Sequence, residues 1–536
     1  MNTIPTDVLC DIFIALKDIY PSRRLAYSQT EVDRTSATLQ RLGWLVVTFV
    51  DRRWRSVSLD YAALWSNLPI HLGIEWLHTF LSRSKDAVLT YDDIGAGNKA
   101  EALRARDAAC TSVIPTQMYR MRRIRLYSAS QHLIQAALSR PAPILESLAV
   151  YGDLSADIAL FAGKAPALRS LTLGSYPEHA GLLMRLDTQD DILEGLTFIQ
   201  LDFDGDALPV HTIVEILRRA RRLESLKIKS GDTHAFRQAI ACHDAPSALL
   251  PALKTCHLNG RVDGIAHLVS HLRLPLSVVM AVQCDCSPLV HPSHSPVLRQ
   301  LVESLAAWRF GYEDGPGAPF RIARLQQGAK QSTATLLFAS SLPLDTSSPF
   351  TLPSDGVFTL VLKETHTSRY DTMGSRPTIY SHILPTLFSH GETLLVLSRV
   401  NNLHQHLRCP LPCLQQFCAS EMLADYEMIG PNLNLLPSLR VLHLINPPPL
   451  SEVALEWFAV QADEPTSPYH RWTRLRATLR ERRSDGWTLE RIVIHEDMRI
   501  HRHTMRSNWP DRYETVKEFM EDVVEVVTVQ TTEPFW

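Results

Sequence analysis

Two groups of cysteine and histidine residues carry side chains that could bind a metal ion. The first group comprises Cys284, Cys286, His291 and His294. The second comprises His404, His406, Cys409 and Cys413. Zinc fingers pair C-x2-4-C with H-x3-5-H, and neither group has both halves at that spacing. Loops rich in proline are the better account of both groups, and a zinc site is the alternative.

The other residues of chemical interest have simpler explanations. His501 and His503 alternate along a polar segment, which indicates exposed side chains, and Cys256 occupies an apolar position where a buried thiol is ordinary. The sequence contains no nucleophile elbow, phosphate-binding loop, dinucleotide fingerprint or HExxH helix. We therefore predict no catalytic residue, no metal and no cofactor. A metal-dependent enzyme is the alternative, which a zinc analysis would test.

A six-residue phrase with apolar residues at its first, fourth and sixth positions returns eight times. The copies begin at Met121, Leu145, Leu168, Leu196, Leu223, Leu253, Leu439 and Leu489. The first six copies begin 24, 23, 28, 27 and 30 residues apart. This phrase at this period is the signature of leucine-rich repeats, so the sequence predicts an α/β solenoid. We expect parallel strands on its concave face and helices on its convex face.

The repeats suggest a division of the chain into six regions. We expect an N-terminal domain over residues 1–85 with an inserted loop near 21–41, a linker over 86–120, repeats over 121–275, irregular or degenerate repeats with proline- and serine-rich loops over 276–378, further repeats over 379–500, and a C-terminal cap over 501–536. Apolar periodicity predicts helices around Val210–Leu217, Ile265–Leu272, Val297–Trp308 and Asp511–Val529, and a second N-terminal helix over Leu42–Val57.

Composition restricts the class of protein. The chain has 536 residues, of which 45% are hydrophobic and 21% charged, so it can bury a large core. A net charge of -3 gives no argument for binding nucleic acid or an anionic membrane. Nine cysteines, an odd number, indicate a reducing compartment. With no secretory signal and no apolar run of about 20 residues, we expect a cytoplasmic or nuclear protein.

Three blocks near the N-terminus resemble the F-box family. The first runs from Ile4 to Leu16, the second from Val50 to Arg55, and the third is Leu64-Trp65. They match, in order, the family phrases LP-x-E-[LV]-L-x-x-I-[FL]-x-x-L, V-C-[KR]-x-W-[KR] and LW. Three mild departures are Ile4, Asp7 and Asp51, where the family usually has Leu, Glu and Cys. The long insertion between the first two blocks is similar to that of F-box proteins from mushroom-forming fungi.

The resemblance implies a three-helix F-box before the repeat solenoid, and a function without chemistry of its own. F-box proteins are substrate receptors of Skp–cullin–F-box ubiquitin ligases, and they hold a target protein near the conjugating enzyme. The partners implied are a Skp-type adaptor, a cullin bound through it, and an unknown target protein. Matching residues would form the adaptor contact: Ile4, Pro5, Val8, Leu9, Ile12, Val50, Trp54, Leu64 and Trp65. A repeat scaffold that binds its partner without any ligase is the alternative.

Target binding would fall to the concave face of the repeats. Side chains alternate along a strand, so the third, fifth and seventh positions of each phrase face outward. Basic and aromatic residues dominate those positions: Arg123, Arg125, Tyr127, Tyr151, Lys227, Lys229, His257, His443, Arg491 and His495. A solvated sheet face is the simpler interpretation. A docking surface for an acidic or phosphorylated segment is the sharper one.

Overall fold

The protein has a mixed α/β fold whose sheets are open and consist mainly of parallel strands. The computed structural model describes residues 4–22, 42–93, 100–129, 131–152, 160–175, 190–203, 210–230, 247–285, 295–310, 322–327, 333–339, 358–363, 387, 393–396, 411–420, 436–445, 468–497 and 514–532. The chain divides into two units, Met1–Leu253 and Lys254–Trp536. Among the described residues, no helix combines the length and the apolar character needed to cross a membrane.

The first unit begins with short helices. These are α1 (Thr6–Ile19), a 3-10 helix (Gly43–Phe49), α2 (Arg52–Asp60) and a second 3-10 helix (Ala62–Ser66). Pro5 directly precedes α1, and Leu9 and Phe13 form its buried stripe one turn apart. The continuous helix expected over Leu42–Val57 is wrong. Asp51 is extended there, and its carboxylate accepts a hydrogen bond of 2.8 Å from the Trp54 amide, which starts a new helix.

Seven strands of the first unit form a parallel sheet in chain order. They are β1 (Asn67–Leu68), β2 (Leu89–Asp92), β3 (Met121–Ala129), β4 (Ser147–Gly152), β5 (Ser170–Ser175), β6 (Phe198–Phe203) and β7 (Ser225–Ser230). The fourth positions of five phrases lie in register and are buried: Ile124, Leu148, Leu171, Ile199 and Leu226. The apolar phrase therefore forms the core side of the sheet, as the alternation predicts.

Helices connect these strands and pack against the core. They are α3 (Ile74–Ser84), α4 (Ala100–Ala108), α5 (Ile114–Gln117), α6 (Gln131–Ala137), α7 (Asp190–Leu193) and α8 (Val210–Arg219), followed by β8 (Ala248–Leu249). The helix expected around Val210–Leu217 is confirmed. Within residues 86–120, where we expected a linker, the structure contains β2 and the helices α4 and α5.

The second unit continues with β9 (Thr255–Arg261), α9 (Val262–Ser270), β10 (Leu272–Arg273), β11 (Val279–Asp285) and α10 (Ser295–Phe310). Helix α10 confirms the one expected around Val297–Trp308, and α9 confirms the one expected around Ile265–Leu272 except at Leu272, which belongs to β10. The next strands are β12 (Ile322–Gln327), β13 (Thr333–Ala339) and β14 (Phe358–Lys363). Strand β14 pairs parallel with β11, and β13 lies antiparallel between β14 and β12. This reversed three-strand order departs from a simple run of degenerate repeats.

The remaining elements return to parallel pairing in chain order. They are β15 (Thr393–Val396), β16 (Gln416–Ser420), β17 (Val441–Ile445), α11 (Pro468–Ser484), β18 (Leu489–Asp497), α12 (Glu514–Met520) and β19 (Val524–Thr532). The single helix expected over Asp511–Val529 is wrong beyond Met520. Its second half is rich in β-branched residues and instead forms β19 beside β18.

Candidate functional site

The nine residues that the F-box resemblance implicates divide into two groups in the structure. Leu9, Leu64 and Trp65 are fully buried. Trp65 donates a hydrogen bond of 2.8 Å from Nε1 to the Ser58 carbonyl, and its ring packs edge-on against Phe80 at 4.8 Å between centroids. These three residues are therefore core residues of the first unit, and their side chains do not offer a contact surface.

The other residues of that set are at least partly exposed. Val8, Ile12 and Val50 are 42%, 37% and 52% exposed, Pro5 is exposed, and Ile4 and Trp54 are half-buried. Phe49, beside Val50, is 65% exposed. We call Val8, Ile12, Phe49 and Val50 the N-terminal apolar residues. Val8 and Ile12 lie one turn apart on α1, and Phe49 and Val50 are adjacent, so exposed apolar side chains are grouped on each segment, as is typical of a protein contact.

Contacts inside the unit fix the helices that carry these residues. The Phe13 and Trp54 rings pack edge to face at 5.4 Å, which joins α1 to α2. The Lys17 ammonium donates hydrogen bonds of 2.8 Å to the Ala63 carbonyl and the Ser66 hydroxyl. Burial lowers the pKa of Lys17 to about 8, against a smaller opposing effect of Asp18. The ends of α1, α2 and the 3-10 helix at Ala62 are thus tied together by side chains.

The outward positions of β3 to β7 place an aromatic pair on the sheet of the first unit. Tyr127 and Tyr151 are register partners whose rings stack at 4.5 Å between centroids and 12° between planes. We call them the tyrosine pair. Burial raises the pKa of Tyr127 to about 12, and the neighbouring Tyr151 adds to this, so the phenol stays protonated at neutral pH. Burial also raises the pKa of Tyr151.

Gly174 on β5 leaves the space that the Tyr151 ring occupies. It is the register partner of Tyr151, and a Cβ atom at Gly174 would lie 2.3 Å from Cδ1 of that ring. The ring therefore lies over the backbone of β5, where only a glycine leaves room. Glycine within a strand often marks such a close approach.

Two charged residues hold the backbone of Tyr127. The Asp93 carboxylate accepts a hydrogen bond of 2.5 Å from the Tyr127 amide, and Arg106 donates one of 3.5 Å to the Tyr127 carbonyl. Asp93 is 3% exposed, and its second oxygen, Oδ2, is buried with no hydrogen-bond partner among the described residues. Burial raises the pKa of Asp93 to about 7, although the hydrogen bond from Tyr127 acts in the opposite direction.

Charged side chains lie on the same outward face of the sheet as the tyrosine pair. Arg125 pairs with Asp92 at 3.4 Å, and Lys229 pairs with Asp202 at 3.4 Å. Lys227 lies with Nζ 5.6 Å from the centre of the Phe198 ring. Arg123 is exposed, and among the described residues neither Arg123 nor Lys227 forms an ion pair with a carboxylate. Two of the four predicted cations are thus neutralised by neighbouring strands, which sequence spacing alone did not reveal.

The predicted outward residues of the second unit form a different arrangement. His257 and Arg491 are exposed, but His495 is fully buried and His443 is half-buried. The rings of His443 and His495 stack, with Nδ1 of His443 2.8 Å from Nε2 of His495. Burial lowers the pKa of His443 to about 4 and of His495 to about 3. His495 therefore cannot contact a partner as predicted, because its ring is covered within a strand that is paired on both sides.

Of the eight candidate metal ligands, Cys284 and Cys413 lie within the described residues. Cys284 is buried and Cys413 is half-buried, and neither forms a disulfide within the described residues. The remaining candidates Cys286, His291, His294, His404, His406 and Cys409 lie outside the described residues, as do His501 and His503, which we expect to be exposed. Within the described ranges, no three His, Cys, Asp or Glu side chains are grouped so that they could hold a metal ion.

Comparison with known proteins gives this chain no family. No protein-family model matches the sequence, and no curated protein matches it significantly.

Proposed function

We propose that this chain is the substrate-recognition subunit of a Skp–cullin–F-box ubiquitin ligase. In this proposal residues 4–66 are an F-box that binds the Skp-type adaptor, and the parallel strands belong to a leucine-rich-repeat solenoid that binds the target protein. The chain performs no chemistry of its own. It would raise the effective concentration of a target lysine at the ligase.

One observation carries the proposal: the residues of the F-box phrase divide into core and surface. Leu9, Leu64 and Trp65 hold the unit together, while Val8, Ile12 and Val50 stay exposed although they are apolar. An isolated helical unit gains nothing from exposed valine and isoleucine at these positions. A partner that covers them recovers about 25 cal/mol for each Å² of apolar surface removed from water.

Adaptor binding is the direct test. The full chain would be co-expressed with a Skp-type adaptor and passed over a size-exclusion column, with Val8→Asp as the variant. We expect the wild-type chain to elute with the adaptor and Val8→Asp to elute alone. A carboxylate in the first turn of α1 does not oppose the helix, so thermal unfolding should change little.

Val88→Asp is the matched control. Val88 is 44% exposed, against 42% for Val8, and it lies outside residues 4–66. Val88→Asp is the same substitution at a valine of nearly equal exposure, so the Val88→Asp chain should still elute with the adaptor. If the folded wild-type chain forms no adaptor complex, the proposal fails, and a repeat scaffold that acts without a ligase becomes the better account.

A further inference from the structure

The tyrosine pair is built with more interactions than an ordinary solvated sheet face needs. A buried carboxylate, Asp93, and the guanidinium of Arg106 hold the backbone of Tyr127, and Gly174 leaves room for the Tyr151 ring. Burying Asp93, whose Oδ2 has no hydrogen-bond partner among the described residues, is costly in either protonation state. Here the aspartate fixes the backbone of Tyr127, whose ring stacks on Tyr151, and both tyrosines remain half-exposed. Rigid aromatic side chains of this kind are the usual anchors of protein contacts.

The charges around the pair indicate what such a contact would accept. Arg125 and Lys229 are already paired with Asp92 and Asp202, and these half-exposed pairs contribute little. Among the described residues of this face, Arg123 on β3 and Lys227 on β7 have no such carboxylate partner. Their strands are four steps apart in the sheet, or roughly 19 Å at about 4.8 Å per step. Tyr127 lies four residues, or roughly 13 Å, beyond Arg123 along β3, so an extended peptide that contacts both cations and the tyrosine pair needs about nine residues.

We propose that the tyrosine pair is the docking centre for an extended acidic peptide segment that carries one aromatic or proline ring. The ring packs on Tyr127 and Tyr151, and acidic side chains on the segment reach Arg123 and Lys227. This inference rests on the proposed function, because it assigns the segment to the ligase target. A basic segment does not fit, since the described residues of this face include the four cations Arg123, Arg125, Lys227 and Lys229 against the two carboxylates Asp92 and Asp202.

A selection from a displayed library of random ten-residue peptides tests the proposal on the full chain. The probes are the wild-type chain and the double variant Tyr127→Ser/Tyr151→Ser. We expect peptides enriched on the wild-type chain to be net acidic and to contain an aromatic or proline residue. Binding of the best peptide should fall about tenfold or more in the double variant. Enrichment of net basic peptides, or equal binding to both chains, would overturn the proposal.

Two further variants distinguish loss of the tyrosine contact from destabilisation of the fold. Gly174→Ala keeps both tyrosines but displaces the Tyr151 ring, so it should also weaken the peptide. Tyr119→Ser makes the matched change at a tyrosine that is 58% exposed on the turn before β3, and it should bind as the wild type does. All variants are compared for thermal unfolding, and only those that unfold as the wild type does are interpreted.

Adaptor binding keeps the two proposals distinguishable. Tyr127→Ser/Tyr151→Ser should still elute with the Skp-type adaptor, whereas Val8→Asp should lose the adaptor and still bind the selected peptide. If the wild-type chain forms no adaptor complex but still binds the selected peptide, only the ligase role is refuted. An intact adaptor complex without peptide enrichment would refute the docking centre alone.

Discussion

Asp93 is a buried carboxylate whose environment favours its protonated form. Its pKa is raised from 3.8 to about 7, chiefly by burial. The folded state therefore binds a proton more readily than the unfolded state between those pH values. The stabilising contribution is complete below about pH 3.8 and is lost as the pH rises through about 7, at no more than about 1.4 kcal/mol per pH unit.

Asp93→Asn should remove this pH dependence. The amide oxygen of the substituted side chain can still accept the hydrogen bond from the Tyr127 amide, and that side chain carries no charge at any pH. Hydrogen exchange of the β3 amides, corrected for intrinsic rates, would give the free energy of opening between pH 5 and 8. We expect the wild type to lose protection as the pH rises and Asp93→Asn to change less.

Asp92→Asn is the control for removing a charge nearby. Asp92 is half-exposed and pairs with Arg125, so its loss should leave most of the pH dependence of β3 in place. Equal pH profiles for the wild type and Asp93→Asn would show that Asp93 is ionised at all these pH values and that burial does not control its charge.

At the scale of elements, Gly43 joins the end of α1 to the 3-10 helix that follows the insertion. Its φ is +57°, and the next amide, Trp44, donates a hydrogen bond of 2.8 Å to the Tyr20 carbonyl. A Cβ atom at this position would lie 2.5 Å from that carbonyl oxygen. The position therefore demands glycine for two reasons, its left-handed backbone and the close approach of another segment.

Gly43→Ala should destabilise the first unit more than Gly163→Ala. Gly163 also has a positive φ, +76°, but a Cβ atom there meets nothing within 4 Å. Gly163→Ala therefore costs only the left-handed backbone, about 1 kcal/mol, whereas Gly43→Ala adds a backbone clash. We expect chemical unfolding monitored by tryptophan fluorescence to separate the two variants by at least about 1 kcal/mol. Similar losses would mean that the Tyr20 carbonyl moves aside freely.

The elements that could be predicted are those whose sequence period is unambiguous. The apolar phrase located β3, β4, β5, β6 and β7, because a strand buried on one face must alternate. Strand β2 was missed because Leu89-Thr90-Tyr91-Asp92 lacks that phrase. The reversed order of β12 to β14 was missed because a strand pattern does not specify its neighbour or its direction.

The sequence predicted which residues belong to the candidate sites, but it did not predict their burial or their contacts. Spacing identified Tyr127 and Tyr151, yet nothing in the sequence showed that Gly174 makes room for a ring or that Asp93 holds the backbone of Tyr127. Spacing also placed His495 on the outward face, where the structure buries it. Burial of an outward position depends on what covers it, and residues distant in sequence decide that.

For the whole molecule, the two units carry buried titratable groups with opposite effects. In the first unit, Asp93 stabilises the folded state at low pH, where its carboxyl group is protonated. His443 and His495 in the second unit have pKa values lowered to about 4 and about 3, so the unfolded state binds protons more readily below about pH 6.5. Their contribution to stability is complete above about pH 6.5 and is lost as the pH falls through the folded pKa values.

Acidification from pH 7.5 to 5 should therefore change the two units in opposite directions. Hydrogen exchange followed in one experiment should show β3 gaining protection and β18 losing it, because the imidazole pair must stay neutral while Asp93 becomes protonated. His443→Gln should reduce the loss at β18 and leave β3 unchanged, since it removes one of the two imidazoles whose pKa values burial lowers. If the protection of β3 and the protection of β18 changed in the same direction between pH 7.5 and pH 5, this assignment would be contradicted. Such a result would mean that one global transition, and not these local groups, sets the pH dependence.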